Sequence, residues 1–234
     1  MHIDKRLETI AGLVPPHCVL ADIGTDHAYL PVWLLEQGKI DRAIAGDIAE
    51  GPCQAARNTV AMHNLDSQVD VRLGSGLSVL APGEAGCIAI AGMGAATIIS
   101  ILEADMETAK SAQLLVLQPM AGAAALRAWL IGKGWQLVAE ELVDDEPHFY
   151  EIIAAKRGYA ALGDEAELVV GPVLLAQGHP LLDKQIERKL TEYKKLVSNM
   201  ELSEQARETI RYKFAKEMVH KLEVLQNARS GNSK

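Results

Sequence analysis

The stretch that decides the fold is Val19-Leu20-Ala21-Asp22-Ile23-Gly24-Thr25-Asp26-His27. It predicts a buried strand, a tight turn at Gly24 and a helix that begins near Ala28, with Thr25 or Asp26 as its N-cap. A strand, a glycine turn and a helix N-terminus together form a ligand seat in α/β proteins. We therefore expect a ligand to bind at this turn.

The charge of the turn narrows the class of ligand. A dinucleotide pyrophosphate needs a glycine-rich turn without carboxylates, whereas this turn has one glycine between Asp22 and Asp26. Two carboxylates suit a ligand with an ammonium and a sulfonium group, and S-adenosylmethionine carries both. Asp47, which ends the apolar run 43–48 and lies 25 residues after Asp22, is spaced as an acceptor for ribose hydroxyls. The pattern predicts a methyltransferase, and the alternative is a set of solvated loop aspartates.

Strand and helix patterns alternate through residues 1–158, which we assign to one α/β domain. Wholly apolar strands, such as residues 114–117, indicate a parallel sheet covered on both faces. Strands at 136–143 and 149–155 are joined by a link too short for a helical crossover, so they form an antiparallel hairpin. A parallel sheet that ends in such a hairpin is typical of Rossmann-like methyltransferases.

The C-terminal third has a different pattern. Residues 159–180 form a connecting segment that is apolar enough to pack on the first domain. Residues 181–229 carry two apolar stripes at helical spacing, which predict a two-helix antiparallel coiled coil. Residues 230–234 are predicted to form a disordered tail. The stripes are Leu182, Ile186, Leu190, Tyr193, Val197 and Met200 and, after Ser203 as an N-cap, Ile210, Phe214, Met218, Leu222 and Leu225.

The composition of the chain restricts the cellular compartment and the binding partners expected for the protein. No apolar run is long enough for a bilayer, the N-terminus lacks the apolar core of a signal peptide, and three scattered cysteines have no metal-ligand spacing. We expect a cytoplasmic protein without membrane or metal. Residues 1–180 hold 11 basic and 23 acidic residues, whereas residues 181–234 hold 12 basic and 8 acidic. The basic region permits a polyanionic partner, and the alternative is a solvated face.

These pieces resemble the bacterial tRNA (adenine-22, N1)-methyltransferases. The resemblance implies a Rossmann-like domain that binds S-adenosylmethionine, a coiled-coil domain, and methyl transfer to N1 of an adenine in the tRNA D-arm. Ser75 stands where the family has an aspartate, a natural acceptor for the cofactor's adenine amine. The matching stretches are residues 21–31, 90–94, 117–119, 150–151 and 170–172, in the family's order.

Ten residues are expected at the cofactor. Asp22 faces the ammonium, Asp47 the ribose hydroxyls, and Met93 the methyl donor unless it belongs to the core. The full set is Asp22, Gly24, Asp47, Ile48, Ser75, Gly76, Leu77, Ala91, Gly92 and Met93.

Four residues are expected on the substrate side. Tyr29 is a stacking surface for a flipped base, for which Phe149 and Tyr150 compete. Asp26 can take a proton from the exocyclic amine after methylation, unless it is only a cap, and His27 is alternatively a helix-start histidine. Gln118 resembles the polar residue before proline that orients the amine in adenine amino-methyltransferases.

Three functions stay open at this point. The first is the tRNA methyltransferase, a monomer that contacts tRNA through its coiled coil; there the alternative is a structural or dimerising hairpin. The second is a methyltransferase of a small metabolite, and the third is a cofactor-binding RNA-interaction protein without catalysis. The basic residues expected to meet tRNA phosphates are Lys184, Arg188, Lys189, Lys194, Lys195, Arg211, Lys213 and Lys216.

Overall fold

A computed structural model describes residues 1–231 and divides the chain into two compact units, Met1–Leu162 and Gly163–Lys234. The first unit contains seven strands and six α-helices. The strands are β1 (Val19–Ile23), β2 (Arg42–Asp47), β3 (Val69–Leu73), β4 (Cys87–Met93), β5 (Leu114–Pro119), β6 (Trp135–Asp145) and β7 (His148–Arg157). The helices are α1 (Lys5–Leu13), α2 (Tyr29–Glu36), α3 (Glu50–Met62), α4 (Ala95–Ala104), α5 (Met106–Ser111) and α6 (Ala123–Gly132).

The strands form one sheet in the order β3-β2-β1-β4-β5-β7-β6. Neighbouring strands from β3 to β5 run parallel, and β7 pairs antiparallel with both β5 and β6. The central strands are apolar on both faces because helices cover the sheet, and Ile88 and Ile90 of β4 are 1% and 0% exposed. The predicted Rossmann-like sheet with a terminal antiparallel hairpin is confirmed.

The hairpin carries a buried ionic cluster. Arg127 of α6 donates to Glu140 of β6 and, at 2.8 Å from its Nη2, to Glu151 of β7. The Arg127 and Glu140 side chains are fully buried and that of Glu151 is 9% exposed. Buried charges survive in a low-dielectric interior only when they are paired, so this cluster ties α6 to both strands of the hairpin.

The start of α2 differs from the prediction. Neither Thr25 nor Asp26 caps the helix; the N-cap is Ala28, which has a left-handed φ of 56° and makes no side-chain cap. The Thr25 hydroxyl instead donates to Asp22 at 2.7 Å. The Asp26 carboxylate lies 3.7 Å from Nε2 of His27. The Thr25 hydroxyl is therefore used within the turn, and the helix begins without a side-chain cap.

The second unit is helical. Its helices are α7 (Glu165–Val170), α8 (Pro172–Gln177), α9 (Leu182–Glu201), α10 (Glu204–Arg207) and α11 (Ile210–Gly231). Residues 163–180, predicted to pack on the first domain, belong to this unit, because Nε2 of Gln185 in α9 donates to the carbonyl of Val170 in α7 at 3.2 Å. Ser203 is an N-cap as predicted, but of the short α10.

Helices α9 and α11 run antiparallel. Asp183 pairs with Arg229 at one end, and Glu201 accepts from the Tyr212 hydroxyl at the other. Leu182, Ile186 and Leu190 of the first stripe are buried, and the Tyr193 ring contacts Phe214 of α11 edge-on. Ile210 of the second stripe, the first residue of α11, is 86% exposed. The buried apolar residues of the pair are Leu182, Ile186, Leu190, Ala215, Met218 and Leu222.

The predicted tail is partly helical, since α11 continues through Gly231. Residues 232–234 of that tail lie outside the described residues. In the described part of the chain, the helices lack the combination of length and apolar character that a bilayer crossing requires.

Candidate functional site

A cleft of about 300 Å³ opens in the first unit, at the carboxyl ends of β1, β2 and β4. This is where the strand order reverses between β1 and β4, which is where open α/β sheets bind ligands. Nine of the fourteen predicted site residues line it. The lining comprises Asp22, Gly24, Asp26, His27, Tyr29, Asp47, Ala91, Gly92 and Met93, together with the unpredicted Arg6, Leu7, Thr25 and Leu30.

Backbone hydrogen bonds hold the turn after β1 against the end of β2. The amides of Gly24 and Thr25 donate to the carbonyl of Gly46 at 2.8 and 3.1 Å. Asp47 is fixed by two amides, that of Ala49 at 3.0 Å and, more weakly, that of Asp26 at 3.4 Å. These bonds place Asp47 beside the turn, and its contact with ribose hydroxyls stays a prediction.

Asp22 is a buried carboxylate at the base of the cleft. Its residue is only 7% exposed, and burial raises the pKa of the carboxyl from 3.8 to about 6, against the hydrogen bond from Thr25 and the positive charge of Arg6. Asp47 adds to the rise in pKa through its negative charge. The ion pairs among residues 1–231 include none to Asp22. A cationic ligand group would supply the missing partner.

Gly24 lies directly beneath the side chain of Met93. Gly24 has a φ of 77°, and a Cβ added there would lie 2.2 Å from Cε of Met93. The positive φ therefore favours glycine, and any side chain here would also displace the end of the flexible Met93 side chain. Met93 itself is half-buried and follows an irregularity in the pairing of β4 with β5 between Ala91 and Met93, so its side chain turns into the cleft and not into the core.

His27 and Tyr29 form a pair of stacked rings at the mouth of the cleft. Their centroids are 5.1 Å apart, their planes differ by 11°, and Tyr29 is 44% exposed. Asp26 and Ala28, which flank His27, both have a left-handed φ, 54° and 56° respectively. Such a backbone is strained for residues other than glycine, and strain of this kind clusters at functional sites.

Gln118 does not line the cleft. It is fully buried, and its Oε1 accepts hydrogen bonds from the Gly92 amide and from Nη1 of Arg6, both at 3.1 Å. Its Nε2 lies 3.6 Å from the Met120 sulfur. An amide oxygen has two lone pairs, and both are used here. The side-chain oxygen of Gln118 is therefore fully used in this structure, and its contact with a substrate amine stays a prediction.

Four predicted cofactor residues lie outside the cleft lining. Gly76 and the buried Leu77 belong to a 3₁₀ turn at Gly76–Val79, just after β3, while Ser75 and Ile48 are exposed. The Gly74 amide donates to the carbonyl of Asp47 at 2.8 Å, so this turn begins next to Asp47. The roles of these four residues stay predictions.

Arg6 is the main residue that sequence reasoning missed. It lies on α1, before the first strand, and its guanidinium is 5.7 Å from the centre of the Tyr150 ring. Nothing in the short Asp4-Lys5-Arg6 stretch distinguishes a cleft residue from a solvated helix face. Among the residues that the structure describes, no group of three or more His, Cys, Asp or Glu side chains is placed to hold a metal ion.

Comparisons with known proteins give a consistent result. A family model described as tRNA (adenine(22)-N(1))-methyltransferase matches residues 20–224. A tRNA (adenine(22)-N(1))-methyltransferase of Bacillus subtilis is 37% identical over 195 residues, 81% of this chain and 82% of the relative.

Two solved structures are similar over almost the whole chain. One is Streptococcus pneumoniae Sp1610 in complex with S-adenosyl-L-methionine, at 32% identity and a TM-score of 0.82, covering 96% of this chain and 100% of that one. The other is the Bacillus subtilis enzyme, at 33% identity and a TM-score of 0.80, covering 97% and 96%.

Proposed function

The chain belongs to the tRNA (adenine(22)-N(1))-methyltransferase family, and from that membership we propose that it methylates N1 of adenine 22 in the D-arm of tRNA with S-adenosylmethionine as methyl donor. The observation in this structure that carries the proposal is the buried Asp22 carboxylate, which lines the cleft at the switch point and makes no ion pair with the described residues. A metabolite methyltransferase would share this site, so the substrate follows from the family and the donor from the site.

The residues present fit the cofactor. We assign the ammonium to Asp22, the ribose hydroxyls to Asp47, and the closest backbone approach to Gly24, where a side chain would collide with Met93. S-adenosylmethionine supplies an electrophilic methyl group when it is bound. Ser75 carries no charge, so we expect the adenine ring of the cofactor to be held mainly by packing near Gly76 and Leu77.

The main task of the protein in this reaction is to position the adenine against the methyl donor. Adenine N1 already has a lone pair, so holding it in line with the donor supplies most of the rate acceleration. Base pairing hides N1, and a flipped base needs a stacking surface; the parallel rings of His27 and Tyr29 offer one at the cleft mouth. We assign to the Asp26 carboxylate the acceptance of a proton from the exocyclic amine once N1 carries the methyl group.

The second unit offers a phosphate-binding surface. Three of its predicted tRNA contacts already have carboxylate neighbours: Arg188 and Lys189 with Glu192, and Lys194 with Glu223. Four of the other predicted contacts support contact with tRNA best, because within residues 1–231 they make no ion pair. They are Lys195, Arg211, Lys213 and Lys216, of which Lys216 lies 5.7 Å from the Tyr212 ring. We further propose a monomer in the cytoplasm, where tRNA is found.

The test is a methyl-transfer assay with labelled S-adenosylmethionine and unmodified bacterial tRNA carrying adenine at position 22, beside the same tRNA with guanine there. The proposal expects transfer to the adenine version alone and 1-methyladenosine in the digest. Transfer to both versions contradicts the position, and no transfer to either despite cofactor binding contradicts the substrate.

A further inference from the structure

Arg6 reaches the cleft from an element outside the sheet. Asp4 caps α1 by accepting from the Leu7 amide at 2.7 Å, and the second guanidinium nitrogen of Arg6 lies 3.6 Å from that same Asp4 carboxylate. From this anchored position, Nη1 donates to Gln118 and the guanidinium covers the ring of Tyr150. The Arg6 side chain therefore connects α1 to the end of β5 and to the hairpin strand β7.

The hydrogen bond to Gln118 fixes the loop at the end of β4. Because Arg6 can only donate, it forces the oxygen of the Gln118 amide to face it and the nitrogen to face Met120. The same oxygen then receives the Gly92 amide, which lies between Ala91 and Met93 in the cleft wall. Without Arg6, only the Gly92 amide holds this oxygen in place, and a rotated amide would present a donor to the Gly92 donor.

Arg6 also acts on the cleft through its charge. It lines the same cleft as Asp22, and its positive charge lowers the pKa of that carboxyl, while Asp47 raises it. Asp26 and His27 are the other titratable side chains of the lining, apart from the phenol of Tyr29. Arg6 is the one permanently charged cation among the lining residues described.

We propose that Arg6 is a positioning residue of the methyl-transfer site: it orients the Gln118 amide and through it the Gly92 turn, and its charge faces the Asp22 carboxylate that we assign to the cofactor ammonium. This inference rests on the proposed function for its catalytic part only. Its electrostatic part concerns the free protein and is testable without cofactor or tRNA.

Two variants separate the charge of Arg6 from its geometry. Arg6→Gln removes the charge. Arg6→Lys keeps a point charge but lacks the planar guanidinium, which contacts Gln118 and the ring of Tyr150 at the same time. The control is Lys5→Gln, which removes a cation from the neighbouring position; the Lys5 side chain is 68% exposed and pairs with Asp145 at 3.5 Å. Far-UV circular dichroism of each variant reports whether the fold is retained.

The first measurement is a carbon-13 NMR titration of the Asp22 carboxyl in the cofactor-free protein. We expect Arg6→Gln to raise the titration midpoint by roughly half a unit to one unit, and Arg6→Lys and Lys5→Gln to leave it near the wild-type value. An unchanged midpoint in a folded Arg6→Gln variant overturns the electrostatic part. This result is independent of whether the protein methylates tRNA.

The second measurement separates kcat from KM in the methyl-transfer assay. We expect both Arg6 variants to lower kcat by about tenfold or more, since a misoriented site costs rate, with KM for tRNA changed less than threefold. The Lys5→Gln control should match the wild type. Wild-type kcat in Arg6→Lys overturns the geometric part, and inactivity of the wild type itself would count against the proposed function and not against the role of Arg6.

Discussion

Replacing Asp22 with asparagine tests whether the buried charge of Asp22 lowers the stability of the folded protein. The variant keeps the shape of the side chain and an acceptor for the Thr25 hydroxyl, which donates to Asp22 at 2.7 Å. It removes the one carboxylate of the cleft that is almost fully buried. We expect the free variant to be more stable than the wild type at neutral pH and to bind S-adenosylmethionine less tightly.

The magnitude follows from the pKa of Asp22. Burial raises it from 3.8 to about 6, and such a difference corresponds to roughly 3 kcal/mol between the two protonation states. Between these two pKa values the folded protein keeps the proton that the unfolded chain has lost. Wild-type stability therefore falls as pH rises from about 4 to about 6 and stays lower above it. The asparagine variant lacks this loss.

Tryptophan fluorescence is the right probe, because Trp33, Trp129 and Trp135 all lie in the first unit. At pH 7.5 the Asp22→Asn variant should unfold roughly 6–12 °C above the wild type, and at pH 4 the two should unfold together. The control is Asp41→Asn, which removes a carboxylate that is 72% exposed and should not change the difference with pH.

Cofactor affinity should change in the opposite direction. For the wild type, the affinity should rise about tenfold per pH unit up to pH 6 and then level off, because only the ionised carboxylate binds an ammonium. In Asp22→Asn the affinity should be independent of pH over this range and about 10–100-fold weaker at pH 7.5, as expected for a lost charge-assisted hydrogen bond. Equal stability of the two proteins at pH 7.5, or a wild-type affinity that does not vary between pH 5 and 7, would refute the reasoning.

Four further predictions follow from the site and from the second unit. Gly24→Ala should lower stability by about 1 kcal/mol, because alanine is strained at a positive φ, and should weaken cofactor binding in a titration. Adding Met93→Ala should restore neither the stability nor the binding. Asp26→Asn should bind cofactor normally yet lose methyl transfer, so normal turnover would remove Asp26 from the catalytic set. Arg127→Met should cost about 3–5 kcal/mol in denaturant unfolding, because it strands two buried carboxylates; a loss below 1 kcal/mol would contradict this. A fourfold glutamine variant should weaken tRNA binding and flatten its salt dependence, whereas Lys221→Gln, which removes a lysine paired with three carboxylates, should do neither; the four positions are Lys195, Arg211, Lys213 and Lys216.

The sheet was predictable because its signals are local. Each central strand is a continuous apolar run, and the link between β6 and β7 is too short for a helical crossover, so the two strands must form a hairpin. The cleft was predictable to the extent that it is built from strand ends. Asp22 and Asp47 each end a strand, and parallel neighbours bring their carboxyl ends to one edge.

The errors arise where a residue has two possible partners. Thr25 and Asp26 have the composition of helix caps, but a hydroxyl that can reach a buried carboxylate stabilises it more than it stabilises a helix end. The sequence cannot rank these partners, because the burial of Asp22 depends on the whole sheet. Ile210, the first residue of the second stripe, is exposed for a related reason: spacing gives the face of a helix but not where the packing against its partner ends.

Gln118 shows the limit of reading function from a motif. Its place before Pro119 suggests an acceptor for a base, yet its oxygen is occupied by a glycine 26 residues earlier and an arginine 112 residues earlier in the chain. A buried amide bonded on both lone pairs holds its neighbours in place, and we expect those neighbours to contact the ligands. The cleft wall at Gly92 is thus set by the N-terminal helix, so a change at Arg6 should affect the chemistry even though it leaves every residue of the β1 turn in place.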